Sequence, residues 1–226
     1  MSETQSGSRP STMQLIMVPA LITLAVTILR LVGELQHWSP KLFGTGAAGG
    51  SGAIVGISWL PILFGPYFAL KLARNAGGPA SNGKAIGFSL AGVGVMVLGG
   101  FVVFKGFSQG GGVIAILGFL IILGAAFIAR AGWQALGTTL FAYGLAARIP
   151  VLIVMFIAMQ AGWTTHYSAI DPRLAQAPFW RQFLDEAVLP QMFLWVGYTV
   201  VVGALFGTVV AAIARRGKPA MQTASL

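Results

Sequence analysis

Six stretches of this chain are apolar for long enough to cross a lipid bilayer, and that restricts its fold more than anything else in the sequence. A hydrocarbon core of roughly 30 Å takes about 20 helical residues to span. The windows run approximately over residues 13–33, 53–72, 85–104, 112–129, 133–160 and 188–214. In lipid every backbone N–H and C=O needs an internal partner, so a spanning segment is a helix or part of a closed barrel. These runs lack the alternation of a barrel strand. Only 8% of the residues are charged, 56% are hydrophobic, and the mean hydropathy is +0.82. An ordinary soluble domain is about one quarter charged. The expectation is an all-α polytopic membrane bundle of six transmembrane helices.

The charges give that bundle a direction. With six spans both tails share a side, and that side carries Arg9, Lys71, Arg74, Lys84, Arg130, Arg215, Arg216 and Lys218 against Glu3. The opposite side carries Lys41, Lys105, Arg173 and Arg181, offset by Glu34, Asp171, Asp185 and Glu186. Basic loops stay on the cytoplasmic side, so both termini are expected there, in a cell membrane and most simply a bacterial inner membrane. The division is a polar tail over 1–12, a membrane domain over 13–214 with an outer loop at 161–187, and a basic tail over 215–226. The first apolar run is longer than the core of a signal peptide and reads as a retained span. The net charge of +9 is explained by this topology, since the bases form no patch interleaved with exposed aromatics that would suit nucleic acid. The absence of cysteine excludes disulfides and thiolate chemistry.

The outer loop contains one amphipathic segment. Phe179, Trp180, Phe183, Leu184 and Ala187 share one helical face, and Arg181, Gln182, Asp185 and Glu186 the other. Pro178 suits a first turn and Pro190 marks a kink or restart. This predicts a helix lying in the outer interface, or else a lid packed on the bundle. Glycines recur through the spans, at Gly52, Gly56, Gly87, Gly92, Gly94, Gly99, Gly100, Gly118, Gly124, Gly203 and Gly207. Small residues let helices approach closely in lipid, within one chain or between copies and other membrane subunits.

Three places hold polar groups that lipid would penalise. In the first span Thr23, Thr27, Arg30, Glu34 and His37 fall on one helical face, which should turn inward. The alternative is that Arg30 and Glu34 pair and reach the outer interface, with His37 beside them. In the fifth span Arg148 stands near the middle, two residues before Pro150, which disturbs the carbonyl of Ala146. A central arginine needs a carboxylate, freed carbonyls, water or an anionic ligand. With no acid deep in any window, carbonyls, Tyr143, Tyr198 or a ligand are its expected partners. A competing reading makes residues 133–147 an interfacial helix with Arg148 at the membrane surface. In the second span Ser58, Pro61, Pro66 and Tyr67 sit where two prolines free the carbonyls of Ile57 and Ile62, as in broken transporter helices or in a merely kinked span.

Glu34, His37, His166 and Asp171 all fall on the outer side and form a weak candidate metal or haem set. Gly44-Thr45-Gly46-Ala47-Ala48-Gly49 matches a dinucleotide fingerprint in letters only, with no strand before it. No resident cofactor is expected. Three functions remain open: a transporter or channel-like protein for a small polar or anionic solute, a non-catalytic subunit or scaffold of a larger membrane complex, and an enzyme with an outer-face site. The balance is against an enzyme.

Overall fold

The computed structural model of the chain describes residues 10–45, 53–75, 77–109 and 112–216, with the side chain of Arg216 outside that description. The predicted roles of Glu3, Arg9, Gly52 and Lys218, and most of the glycine loop after Thr45, lie outside the described residues. Their regular structure is all helical, with no strand among the described residues. Five helices are long and apolar enough to cross a membrane: Thr12–Leu35, Asn82–Ser108, Gly112–Gly132, Gln134–Ala161 and Phe179–Arg215. The outward faces of the first four carry Leu21, Ile28, Leu98, Phe101, Leu117 and Ile153, each at least 51% exposed, on surfaces too apolar to face water. The chain is therefore a multi-pass membrane protein.

Helix α1, Thr12–Leu35, begins at a reciprocal cap: the Ser11 side chain accepts from the Gln14 backbone N–H, and Gln14 Oε1 accepts from the Ser11 N–H. A four-residue helix, α2 (Pro40–Phe43), turns the chain back, and Phe43 packs against Gly33. The second predicted window behaves differently from the other five. Residues 53–59 are bends and turns, and helix α3 runs only over Leu60–Arg74. Its 15 residues reach about 22 Å at 1.5 Å each, short of the roughly 30 Å core. Pro61 explains the late start. It has no N–H to give the Ile57 carbonyl, it suits a first turn, and it follows a run rich in β-branched residues and glycine.

Helices α4 (Asn82–Ser108) and α5 (Gly112–Gly132) form an antiparallel hairpin. Gly92, Gly99 and Gly106, seven residues apart, press against Ala125 and Ala129, Ile122 and Gly118, and Ala115 in turn. Glycine at these places lets the two backbones meet. Gly87, Gly94, Gly100 and Gly124 have open space beside them instead. Helix α6, Gln134–Ala161, passes through Pro150 without a break. Residues 134–147 belong to the same helix as Arg148, which counts against the interfacial alternative for 133–147.

The segment expected to lie in the outer interface is the opening of the last long helix. Helix α7 (Phe179–Phe183) continues through π-type turns at Leu184–Val188 and Pro190–Trp195 into α8 (Val196–Arg216). Phe179, Trp180 and Phe183 gather round Phe156 of α6, with ring centroids 5.7, 6.0 and 5.3 Å away. These contacts tie the segment to the bundle. The wide turns flank Pro190, and no break occurs there. At 37 residues and about 55 Å this helix is longer than the 40–45 Å of a bilayer with its headgroups. At the other end Arg215 Nη1 reaches the Pro79 carbonyl and Asn82, and Trp133 Nε1 donates to the Gly77 carbonyl. The ends of α3, α5 and α8 and the start of α4 thus meet at one end of the bundle.

Candidate functional site

A cavity of about 590 Å³ lies between α1, the α4–α5 hairpin, α6 and the π-type stretch before α8. The predicted face of α1 supplies one wall. Thr23, Thr27, Arg30 and Glu34 are all buried, and Thr27 and Arg30 line the cavity. Thr23 Oγ1 donates to the Pro19 carbonyl and lies 2.8 Å from the Tyr143 hydroxyl. Thr27 Oγ1 bonds back to the Thr23 carbonyl. Each threonine therefore meets its hydroxyl requirement locally.

Glu34 is completely buried and is the hub of a polar cluster. Arg30 Nε donates to Glu34 Oε1 at 2.8 Å, His166 Nδ1 lies 2.5 Å from the same oxygen, and the His166 backbone N–H donates to Oε2 at 2.9 Å. Burial pushes the His166 pKa down, while the Glu34 hydrogen bond opposes that shift. A neutral imidazole that donates Nδ1–H to the carboxylate fits both facts. Beside it, burial pushes the Tyr167 phenol up, and its hydroxyl reaches the Thr27 carbonyl. His37 takes no part. It is exposed, with φ +52° at the end of α1, where the helical face ends. Asp171 is engaged by Arg173, whose side chain and backbone hydrogen bonds hold its carboxyl down to about 2. Of the four candidate ligands the structure joins only Glu34 and His166. Among the described residues no group of three or more His, Cys, Asp or Glu is placed to hold a metal.

Arg148 lies at the midpoint of α6, 4% exposed, on the cavity wall. Its guanidinium sits over Trp195, with Cζ 4.7 Å from the ring centroid, and Nη1 reaches Gln191 Oε1 at a long 3.4 Å. Nε has no hydrogen-bond partner among the described residues. Tyr143 and Tyr198 do not bond to it: Tyr143 is held by Thr23, and Tyr198 packs edge-on to Trp195. Burying an arginine without a carboxylate is costly, so this arrangement is a poor one for stability alone. Gln191 and Trp195 were not foreseen. They are four residues apart in the π-type turn after Pro190, and a buried glutamine in an apolar window was the one available signal. Such wide turns often accompany functional positions.

The non-helical stretch before α3 forms another part of the wall, through Gly56, Ile57 and Ser58. A Cβ on Gly56 would lie 3.0 Å from Arg30 Nη1, so glycine there lets the backbone approach the guanidinium. Irregular backbone within a membrane domain is tolerated where it is buried in protein or borders a cavity. Ser58 thus belongs to the site by position. Pro61 and Pro66 shape α3 outside the cavity lining, and Tyr67 turns outward beneath Lys71. Toward the loop after α6 the cavity meets Arg173 paired with Asp171, Arg181 paired with Asp185, and Glu186, which accepts from the Asp171 backbone N–H.

No protein-family model, no curated protein and no solved structure matches the chain.

Proposed function

We propose that this protein is a transporter or channel-like protein that carries a small polar or anionic solute across a cell membrane, with the cavity at Arg148 as its solute site. The observation that carries the reading is a buried guanidinium on a cavity wall with no carboxylate against it and Nε unpartnered among the described residues. An anion in the cavity supplies the missing charge. Two features add support: irregular backbone borders the cavity at Gly56–Ser58, and the wall is drawn from several helices.

In this reading the chain crosses six times, the second crossing made of residues 53–59 and α3 together. Both tails then lie on the cytoplasmic side, which agrees with the gathering of Arg215, Arg130 and the α3–α4 turn at one end of the bundle. A bacterial inner membrane suits this arrangement.

The test is flux in proteoliposomes, followed by light scattering with formate, acetate, nitrate and glycerol as probes. Anion flux in the wild type that falls at least tenfold in Arg148→Gln supports the proposal. Equal flux in both proteins overturns it.

A second reading, a subunit of a larger membrane complex, draws on the open faces beside Gly87 and Gly94 of α4. Purification in a mild detergent with stoichiometric partner chains, together with no flux from the isolated chain, would favour it.

A further inference from the structure

Resting on the solute-site reading above, we infer that the cavity takes a monocarboxylate with an apolar body, its carboxylate on Arg148 and Gln191 and its body against the walls of α5, α6 and the last helix.

Charge comes first. Among the cations on the cavity wall, Arg30 is paired with Glu34, Arg173 with Asp171 and Arg181 with Asp185. Arg148 is left without a carboxylate among the described residues. One uncompensated guanidinium, buried to 4% exposure, matches one negative charge. A phosphate dianion would call for a second cation or a helix N-terminus, and the direct side-chain contacts of Arg148 are to an amide and an indole, with tyrosine phenols nearby.

The second donor comes from Gln191. Its Oε1 faces Arg148 at 3.4 Å, while its Nε2 has only the Met155 sulfur at 3.5 Å, a weak acceptor. That N–H can turn to a ligand oxygen with almost nothing lost. Guanidinium and amide together offer donors to both oxygens of a carboxylate.

Size and polarity define the rest of the ligand. A simple inorganic anion fills a small fraction of 590 Å³, a volume within the range that holds organic ligands. The cavity wall includes Ile116, Phe119, Val151, Met155 and Leu194. These side chains offer no polar partner to a sugar or a polyol, but they suit an alkyl chain or an aromatic ring.

Isothermal titration calorimetry on the protein in lipid nanodiscs, with empty nanodiscs subtracted, tests the inference. The probes are hexanoate and 4-phenylbutyrate, with hexanol, hexylamine and inorganic phosphate as controls. Both carboxylates are expected to bind the wild type at one site. Their affinity should fall about tenfold to a hundredfold in Arg148→Gln, the size expected for a lost charge-assisted hydrogen bond. Gln191→Leu, which keeps the charge, should weaken them by a smaller factor, and the controls should not bind. Equal carboxylate affinity in wild type and Arg148→Gln, tighter binding of phosphate, or no carboxylate binding at all would each overturn it. Arg148-dependent flux of nitrate without carboxylate binding would defeat the ligand class and leave the transport proposal standing. Carboxylate binding without any flux would do the reverse.

Discussion

Glu34 and His166, 132 residues apart, share a 2.5 Å contact between Oε1 and Nδ1 that fastens the end of α1 to the loop after α6. The same oxygen accepts from Arg30, and the other accepts from the His166 backbone. Replacing Glu34 by Ala withdraws the carboxylate that these three donors share. Breaking a buried ion pair from one side costs about 3–5 kcal/mol. Glu34→Ala should therefore lower the melting temperature in detergent markedly, and Glu34→Gln, which keeps an acceptor, by less. If Glu34→Ala melts with the wild type, the cluster does not hold the loop.

The same contact gives stability a pH dependence whose sign follows from His166. Burial holds its pKa below the ordinary value of 6.5, so on acidification the unfolded chain takes up the proton before the folded one. Stability is complete above about 6.5 and is lost as pH falls from there toward the lower folded value. Both Arg30 and Glu34 face the imidazole, and the loss adds a positive charge close to the Arg30 guanidinium. Melting curves between pH 7.5 and 5 should show a decline in the wild type that His166→Asn reduces. Equal slopes in both proteins would assign the decline to another group.

The glycines separate into two classes that a melting experiment can tell apart. A Cβ on Gly65 would collide with the backbone of Gly203 in α8, which cannot step aside as a flexible side chain could. Gly65→Ala should destabilise by about 1–3 kcal/mol, the usual cost of overpacking. Gly87 and Gly94 have nothing within 4 Å. Alanine there should be neutral or stabilising by up to about 1 kcal/mol through helix propensity. A loss of stability at Gly87→Ala would reveal a neighbour seated on that face.

Much of this arrangement was readable from residue order, because lipid makes length and hydropathy decisive. Thr23, Thr27, Arg30 and Glu34 declared their inward face by spacing alone, and His37 left it because the helix ends at Leu35. Arg148 declared itself by standing in an apolar window. What stayed hidden depends on contacts distant in the chain: no periodicity pairs Glu34 with His166 or Arg148 with Gln191. Local backbone choices were hidden too. Residues 53–57 are as apolar as a span, yet Pro61 and the run of β-branched residues delay helix α3 until Leu60. An amphipathic pattern likewise does not distinguish an interfacial helix from one continuous with the next span, and the packing on Phe156 decided that for Phe179–Phe183.

Arg148 gives the sharpest prediction, because function and stability should part company there. In a residue kept for packing, removal costs both. Arg148 is buried, has no carboxylate partner among the described residues, and leaves Nε without a hydrogen bond, so its desolvation is only partly offset by Trp195 and a long contact to Gln191. Replacing poorly compensated buried charge by an apolar side chain of similar volume is often stabilising by about 1–4 kcal/mol. Arg148→Met should therefore raise the melting temperature of the detergent-solubilised protein in the absence of ligand, and abolish anion flux in proteoliposomes. Methionine fills the same space beside Trp195, and neighbouring helices need not move. A variant that is both less stable and less active would mean that the guanidinium serves the fold. One that is more stable and inactive would mark Arg148 as a group held at a cost to stability for the solute it meets.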